Sequence, residues 1–193
     1  EKYMRMFGFG EKIENSFFTG GSGTVPNPEW KKANFKGEAW NLGNTYHTSI
    51  GQYGFQVSVV QITRAVASLV NNGLLRDPSI IKGEEGKILR QIDIPKEYFT
   101  IVKEGMRLGV TEGTGSSLKL PFVDVASKSG TAELGVTKDN VNSWMTGFFP
   151  YKNPRYAFAV IMEKGSAHNL IGAGSAMREV FEWMNINTPE YFK

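Results

Sequence analysis

At Val123 the periodicity of the sequence changes from helical to extended. From there the chain reads as three strands, Val123 to Leu134, Ser143 to Pro150 and Arg155 to Glu163, rich in Val, Phe, Tyr, Trp and Thr and parted by turn residues. Tyr151-Lys152-Asn153-Pro154 is a tight turn, so the second and third strands are expected to form an antiparallel hairpin. After a Gly-containing stretch, Ala173 to Met184 reads as a helix whose Val, Phe, Trp and Met content suits packing on that sheet.

The upstream segment has helical spacing. Ser58 is placed to N-cap a helix, with Gln61 completing a capping box. Val59, Ile62, Val66, Leu69 and Val70 follow at helical intervals as an expected core face, and Asn71-Asn72-Gly73 ends the run with a glycine suited to a left-handed cap. A second helix is expected to start after Pro95, a residue that suits the first turn, and to run through Tyr98, Ile101, Val102, Met106 and Leu108. Gly113-Thr114-Gly115-Ser116-Ser117 then breaks the pattern. Lys82 to Lys87 reads as a charged hairpin or loop, and the Gly-rich opening as loops with short extended pieces. Helices first, then an antiparallel sheet with a C-terminal helix, is an α+β arrangement.

Composition narrows the chemistry. With 40% hydrophobic and 21% charged residues, the 193-residue chain is an ordinary globular sequence, enough for one domain or a large piece of one. Its net charge of +3 comes with no basic run, which argues against a nucleic-acid partner. There is no cysteine, and His47 and His168 lie far apart, so no metal-ligand spacing exists and neither a metal nor another cofactor is expected. Neither a P-loop nor a dinucleotide fingerprint occurs among the glycines. The apolar run Tyr156 to Met162 is too short to span a bilayer.

One string carries chemistry: Ser127-Lys128-Ser129-Gly130-Thr131-Ala132-Glu133. On a strand it sets a cation, a hydroxyl and a glycine that admits a substrate backbone side by side. Lys-Ser-Gly is one of three motifs of penicillin-recognising serine enzymes, beside S-x-x-K and S-D-N. The tripeptide alone is unspecific, and its context makes it informative.

In order along nearly the whole chain, further segments match one family. They are Phe7-Gly8-Phe9-Gly10, Gly43-Asn44-Thr45, Ser49-Ile50-Gly51-Gln52, Val57-Ser58-Val59-Val60-Gln61, Asn71-Asn72-Gly73, Val102-Lys103-Glu104-Gly105-Met106, Gly113-Thr114, Lys128-Ser129-Gly130-Thr131-Ala132, and the strands around Trp144 to Pro150 and Tyr156 to Gly165. With these the chain resembles the class B penicillin-binding proteins of the elongation type. Small departures are Val59 for proline, Ser58 for threonine, Asn44 for aspartate and Glu133 where glutamine is frequent.

The resemblance implies the transpeptidase fold shared with serine β-lactamases, and a parent that cross-links peptidoglycan peptide stems by serine acyl transfer and binds β-lactams. It implies that Lys128 sets the electrostatics around the nucleophile, that Ser129 and Thr131 hydroxyls bind the stem's C-terminal carboxylate beside Gly130, and that the Thr131 N–H is one oxyanion-hole donor. Residues 1–193 are then expected to be the C-terminal portion of a single transpeptidase domain, with S-x-x-K and S-x-N upstream, and to be inactive alone. The string Ser116 to Lys119 has the right letters in the wrong order and beside Pro121, which suits a loop and not a nucleophile helix. A D-Ala-D-Ala carboxypeptidase, a β-lactamase or a non-catalytic β-lactam sensor of the same fold stays open as an alternative. The family works from an anchor at the periplasmic face of the inner membrane, with glycosyltransferases and cell-shape proteins as partners. Glu133, if it faces the cleft, is expected to disfavour anionic β-lactams.

Overall fold

The computed structural model describes residues 1–13, 19–169 and 171–193. Its Gly-rich opening, expected as loops, holds three short helices: α1 (Lys2–Met6), α2 (Pro28–Asn34) and α3 (Leu42–Ser49). Asparagine caps explain two of them. Asn27 accepts the Trp30 N–H at 2.8 Å with Pro28 at the first helical position. Asn41 and Asn44 cap each other reciprocally, each side chain taking the other's backbone N–H at 3.0 Å. Neither helix has an apolar stripe long enough to show as a period in the sequence.

The long helix α4 (Val59–Val70) starts at Ser58 with the Gln61 capping box in place. It ends where expected, and both Asn72 (φ 51°) and Gly73 (φ 93°) take left-handed conformations after it. Its core face is a correction: Val59, Ile62, Val66, Leu69 and Val70 are only half-buried, while Gln61, Arg64, Ala65 and Ser68 are buried. The reason is the Gly-rich opening, which folds over this polar stripe and, together with Asp77, takes up most of its hydrogen bonds, though Arg64 Nε has no partner among the described residues. Gln61 donates to the Glu11 and Ser22 carbonyls at 2.9 and 2.8 Å, and Arg64 to the Gly8 carbonyl at 2.7 Å and to Asp77 at 3.0 Å.

The next segment adds a two-stranded antiparallel ribbon, β1 (Leu74–Arg76) with β2 (Ile88–Gln91), closed by the charged loop that contains Lys82 and Lys87. Helix α5 spans Lys96–Thr111, with Pro95 as its N-cap and not inside its first turn. Phe99 and Val110 are buried on it, but Tyr98, Ile101, Val102 and Leu108 are exposed.

Three antiparallel strands follow in the order β3-β4-β5: β3 (Ala126–Leu134), β4 (Asn140–Phe149) and β5 (Tyr156–Ser166). Met145 and Phe149 of β4 and Phe158 of β5 join Val110, Leu118, Leu120, Val123 and Val125 on one face. Helix α6 (Ala173–Asn187) covers that face with Ala173, Met177 and Phe181, at i, i+4 and i+8. Phe181 meets Phe149 and Phe158 edge to face, centroids 4.8 and 5.5 Å away. The α+β reading, the hairpin and the closing helix therefore hold.

Candidate active site

Among the described residues the motif strand β3 lies at the edge of its sheet, paired to β4 on one side only. In an antiparallel pair, backbone groups point alternately toward and away from the partner. The Ala126 carbonyl faces β4, against Gly147, so those of Val125, Ser127, Ser129 and Thr131 face outward. Each outward carbonyl meets something different. Val125 accepts from Arg107 of α5 at 2.8 Å, and the Ser127 carbonyl lies against Gly109 of α5. Lys128 curls its ammonium onto the Ser129 carbonyl, and Gln52 reaches the Thr131 carbonyl with Nε2 at 3.4 Å. Helix α5 thus covers the first half of the edge, and the half carrying Ser129 and Thr131 is covered by side chains alone.

Lys128, Ser129, Gly130 and Thr131 are brought together on this open half. Lys128 and Thr131 are exposed, and Ser129 and Gly130 are half-buried. Register sets Ser129 opposite Met145 and Lys128 opposite Thr146, so the lysine and serine side chains leave opposite faces of the strand. The Thr131 N–H shares the outward direction of its carbonyl.

Two further residues join them. The Thr114 hydroxyl lies 2.6 Å from the Ser129 hydroxyl, a pair in which either can donate. The sequence names Gly113-Thr114 as a segment before the motif; what it lacks is any sign that the break after α5 turns Thr114 back onto β3. Gln52 is the other, carried by the Ser49-Ile50-Gly51-Gln52 segment to a strand 79 residues away. Three glycines let these pieces close: a Cβ on Gly109 would stand 2.8 Å from the Ser127 carbonyl oxygen, and one on Gly115 2.6 Å from Ser127 Oγ. Gly51, before Gln52, has φ 80°, a left-handed value that glycine adopts freely.

Ser116 to Lys119 does not form a helix start. Ser116–Leu118 is a single 3-10 turn with Leu118 buried and both Ser116 and Lys119 exposed. Glu133 is exposed and paired with Lys138 of the β3–β4 turn at 2.6 Å, so its charge is partly offset. No group of three or more His, Cys, Asp or Glu is placed to hold a metal among the described residues. Concavities along α4 and β1, and between Pro28, Trp40 and Phe55, include none of Lys128, Ser129 and Thr131.

An open strand edge with a lysine, two hydroxyls and an outward N–H can bind an extended, carboxylate-bearing chain and polarise a carbonyl laid against that N–H. Ser129 and Thr131 are not placed to be activated as nucleophiles, since no described base is hydrogen-bonded to either.

Residues 1–182 match the family model for the penicillin binding protein transpeptidase domain. The peptidoglycan D,D-transpeptidase MrdA of Haemophilus influenzae is 28% identical over 99% of this chain and 33% of its own length. Its Escherichia coli counterpart is 29% identical over 94% of this chain and 32% of its own. The chain therefore spans about a third of the length of these curated relatives. Among solved structures, Pseudomonas aeruginosa PBP2 in complex with WCK 5153 superposes with a TM-score of 0.76 at 26% identity, over 95% of this chain and 41% of that one. The complex between PBP2 and MreC from Helicobacter pylori gives 0.76 at 27% identity, over 97% and 35%.

Proposed function

Because the chain belongs to the penicillin binding protein transpeptidase domain family, we propose that it is the C-terminal portion of the catalytic domain of an elongation-type peptidoglycan D,D-transpeptidase. The observation that carries this reading is the half-open edge of β3, with Lys128, Ser129 and Thr131 gathered on it and Thr114 bonded to Ser129. A serine from the upstream portion attacks the acyl carbonyl of a peptide stem. Its oxygen forms an ester as the terminal residue leaves as an amine that takes the proton. An amine of a neighbouring stem then attacks the ester and returns the hydroxyl.

In this scheme Lys128 supplies positive potential for the attacking oxygen and the incoming carboxylate. Ser129 and Thr131 hydroxyls donate to that carboxylate, with Thr114 holding Ser129. The Thr131 N–H donates to the oxyanion; losing one such donor costs about 3 kcal/mol in comparable acyl transfer. β-Lactams enter as mimics of the stem and stop at the ester. The parent works at the periplasmic face of the inner membrane, beside glycosyltransferases and a partner of the MreC kind, as in the Helicobacter pylori complex. No helix among the described residues is long and apolar enough to cross a membrane.

The test is covalent labelling of the full-length protein by a fluorescent penicillin. One label per molecule, slowed at least a hundredfold by Lys128→Ala, is expected. No label on the unsubstituted protein, or undiminished labelling of Lys128→Ala, would overturn the reading.

A further inference from the structure

From the placement of Gln52 we infer that its side-chain amide reads the amide of the acyl donor, which makes it a specificity-determining residue of the site; this rests on the acyl-transfer reading above. Among the described residues, the Thr131 carbonyl is the outward carbonyl of β3 met by a neutral side-chain amide. A primary amide carries the same donor and acceptor groups as a peptide unit. Gln52 therefore stands at the strand edge where the next peptide unit of an added strand would stand.

Only one of its groups is committed. Nε2 donates to the Thr131 carbonyl at 3.4 Å, a long bond that leaves the second lone pair of that oxygen open. Among the described residues Oε1 takes no hydrogen bond. The segment behind it is fixed: the Gln52 N–H donates to the His47 carbonyl at the end of α3 at 2.9 Å, and Gly51 N–H to the Thr48 carbonyl at 3.0 Å. Tyr53 follows with φ 60°, locked among Trp30, Phe35 and Trp40 with ring centroids 5.8 to 6.0 Å away. Gln52 thus extends from a braced turn toward Thr131. An acyl donor that docks along β3 gives its amide N–H to Oε1 of Gln52, while Nε2 keeps the Thr131 carbonyl. A ligand without that amide makes no use of Gln52.

The experiment compares two acylating ligands on the full-length protein. One is benzylpenicillin, which has a side-chain amide; the other is penicillanic acid, which has the same nucleus with hydrogen in place of that side chain and so no N–H to offer. Second-order acylation rates are measured for the unsubstituted protein, Gln52→Ala and Gln52→Met, the last preserving side-chain length. The expected result is a fall of about tenfold for benzylpenicillin in both variants, the loss of roughly one hydrogen bond, with the rate for penicillanic acid changed less than about twofold. An equal fall for both ligands would mean that Gln52 only supports the strand, and an unchanged benzylpenicillin rate would mean that it reads nothing; either overturns the inference. Absence of any adduct on the unsubstituted protein removes the acyl-transfer reading itself, and the inference with it.

Discussion

Ser129 has two claims on its hydroxyl. Thr114 lies 2.6 Å from it, and in the proposed reaction a carboxylate accepts a hydrogen bond from it. Both are met only if Thr114 donates to Ser129 and Ser129 donates onward, an arrangement in which each bond polarises the next. Thr114→Val should therefore slow penicillin acylation about three- to tenfold, the range for one hydrogen bond, and Ser129→Ala somewhat more. The double variant should be faster than the product of the single effects, because both changes remove the same bond. Simple multiplication in time-resolved labelling would show that the two hydroxyls act separately. Glu133 belongs to the same scale. Its pairing with Lys138 offsets part of the repulsion expected for anionic β-lactams. Glu133→Gln should raise the acylation rate by less than about threefold and Lys138→Gln should lower it, both effects fading at high salt as exposed charges are screened. A rate that falls in Glu133→Gln would sink this electrostatic reading.

Between elements, the contact that positions the motif is α5 against the first half of β3. At Gly109 two effects oppose each other. Alanine in a helix interior gains up to about 1 kcal/mol over glycine, but its Cβ would stand 2.8 Å from the Ser127 carbonyl, a backbone atom beside Lys128. Overpacking costs about 1–3 kcal/mol, so Gly109→Ala should lower the thermal midpoint and the acylation rate together. A more stable, fully active variant would show that the strand yields freely. The joint between α4 and the Gly-rich opening is ionic. Removing Asp77 leaves Arg64, whose side chain is 3% exposed, with Glu11 3.8 Å away as its remaining carboxylate partner among the described residues. Asp77→Ala should cost about 2 kcal/mol of stability, less than the full penalty for breaking a buried pair because Glu11 stays. The α4 cap was legible because Ser58 and Gln61 signal it locally. The buried polar face was not, since Gln61 and Arg64 find their partners 50 and 56 residues away. Helices α2 and α3 escaped for want of length, since seven and eight residues show too little period to separate from loops, and of the β1–β2 ribbon only the charged hairpin or loop at Lys82 to Lys87 was signalled.

Across the whole molecule, the three strands and the hairpin of the second and third were readable from period and turn signals, and the resemblance named the chemistry; the motif's place on a sheet edge came only with the fold. Gln52 and Thr114 were not readable as site residues, because their partners are met only after the chain has folded back across the sheet edge. Apolar residues also lie uncovered, with Leu42, Tyr46 and Ile50 at helical spacing on and just beyond α3 and 64–74% exposed. This supports the proposal that another portion of the same domain packs on this one and brings the nucleophile to Lys128. The most direct test is to react the full-length protein with excess penicillin, digest it and locate the adduct by mass spectrometry. A single penicillin on a serine outside residues 1–193 is expected, with none on Ser116, Ser129 or any other serine of this chain. A penicillin found on a serine within these residues would contradict the proposed division of the site.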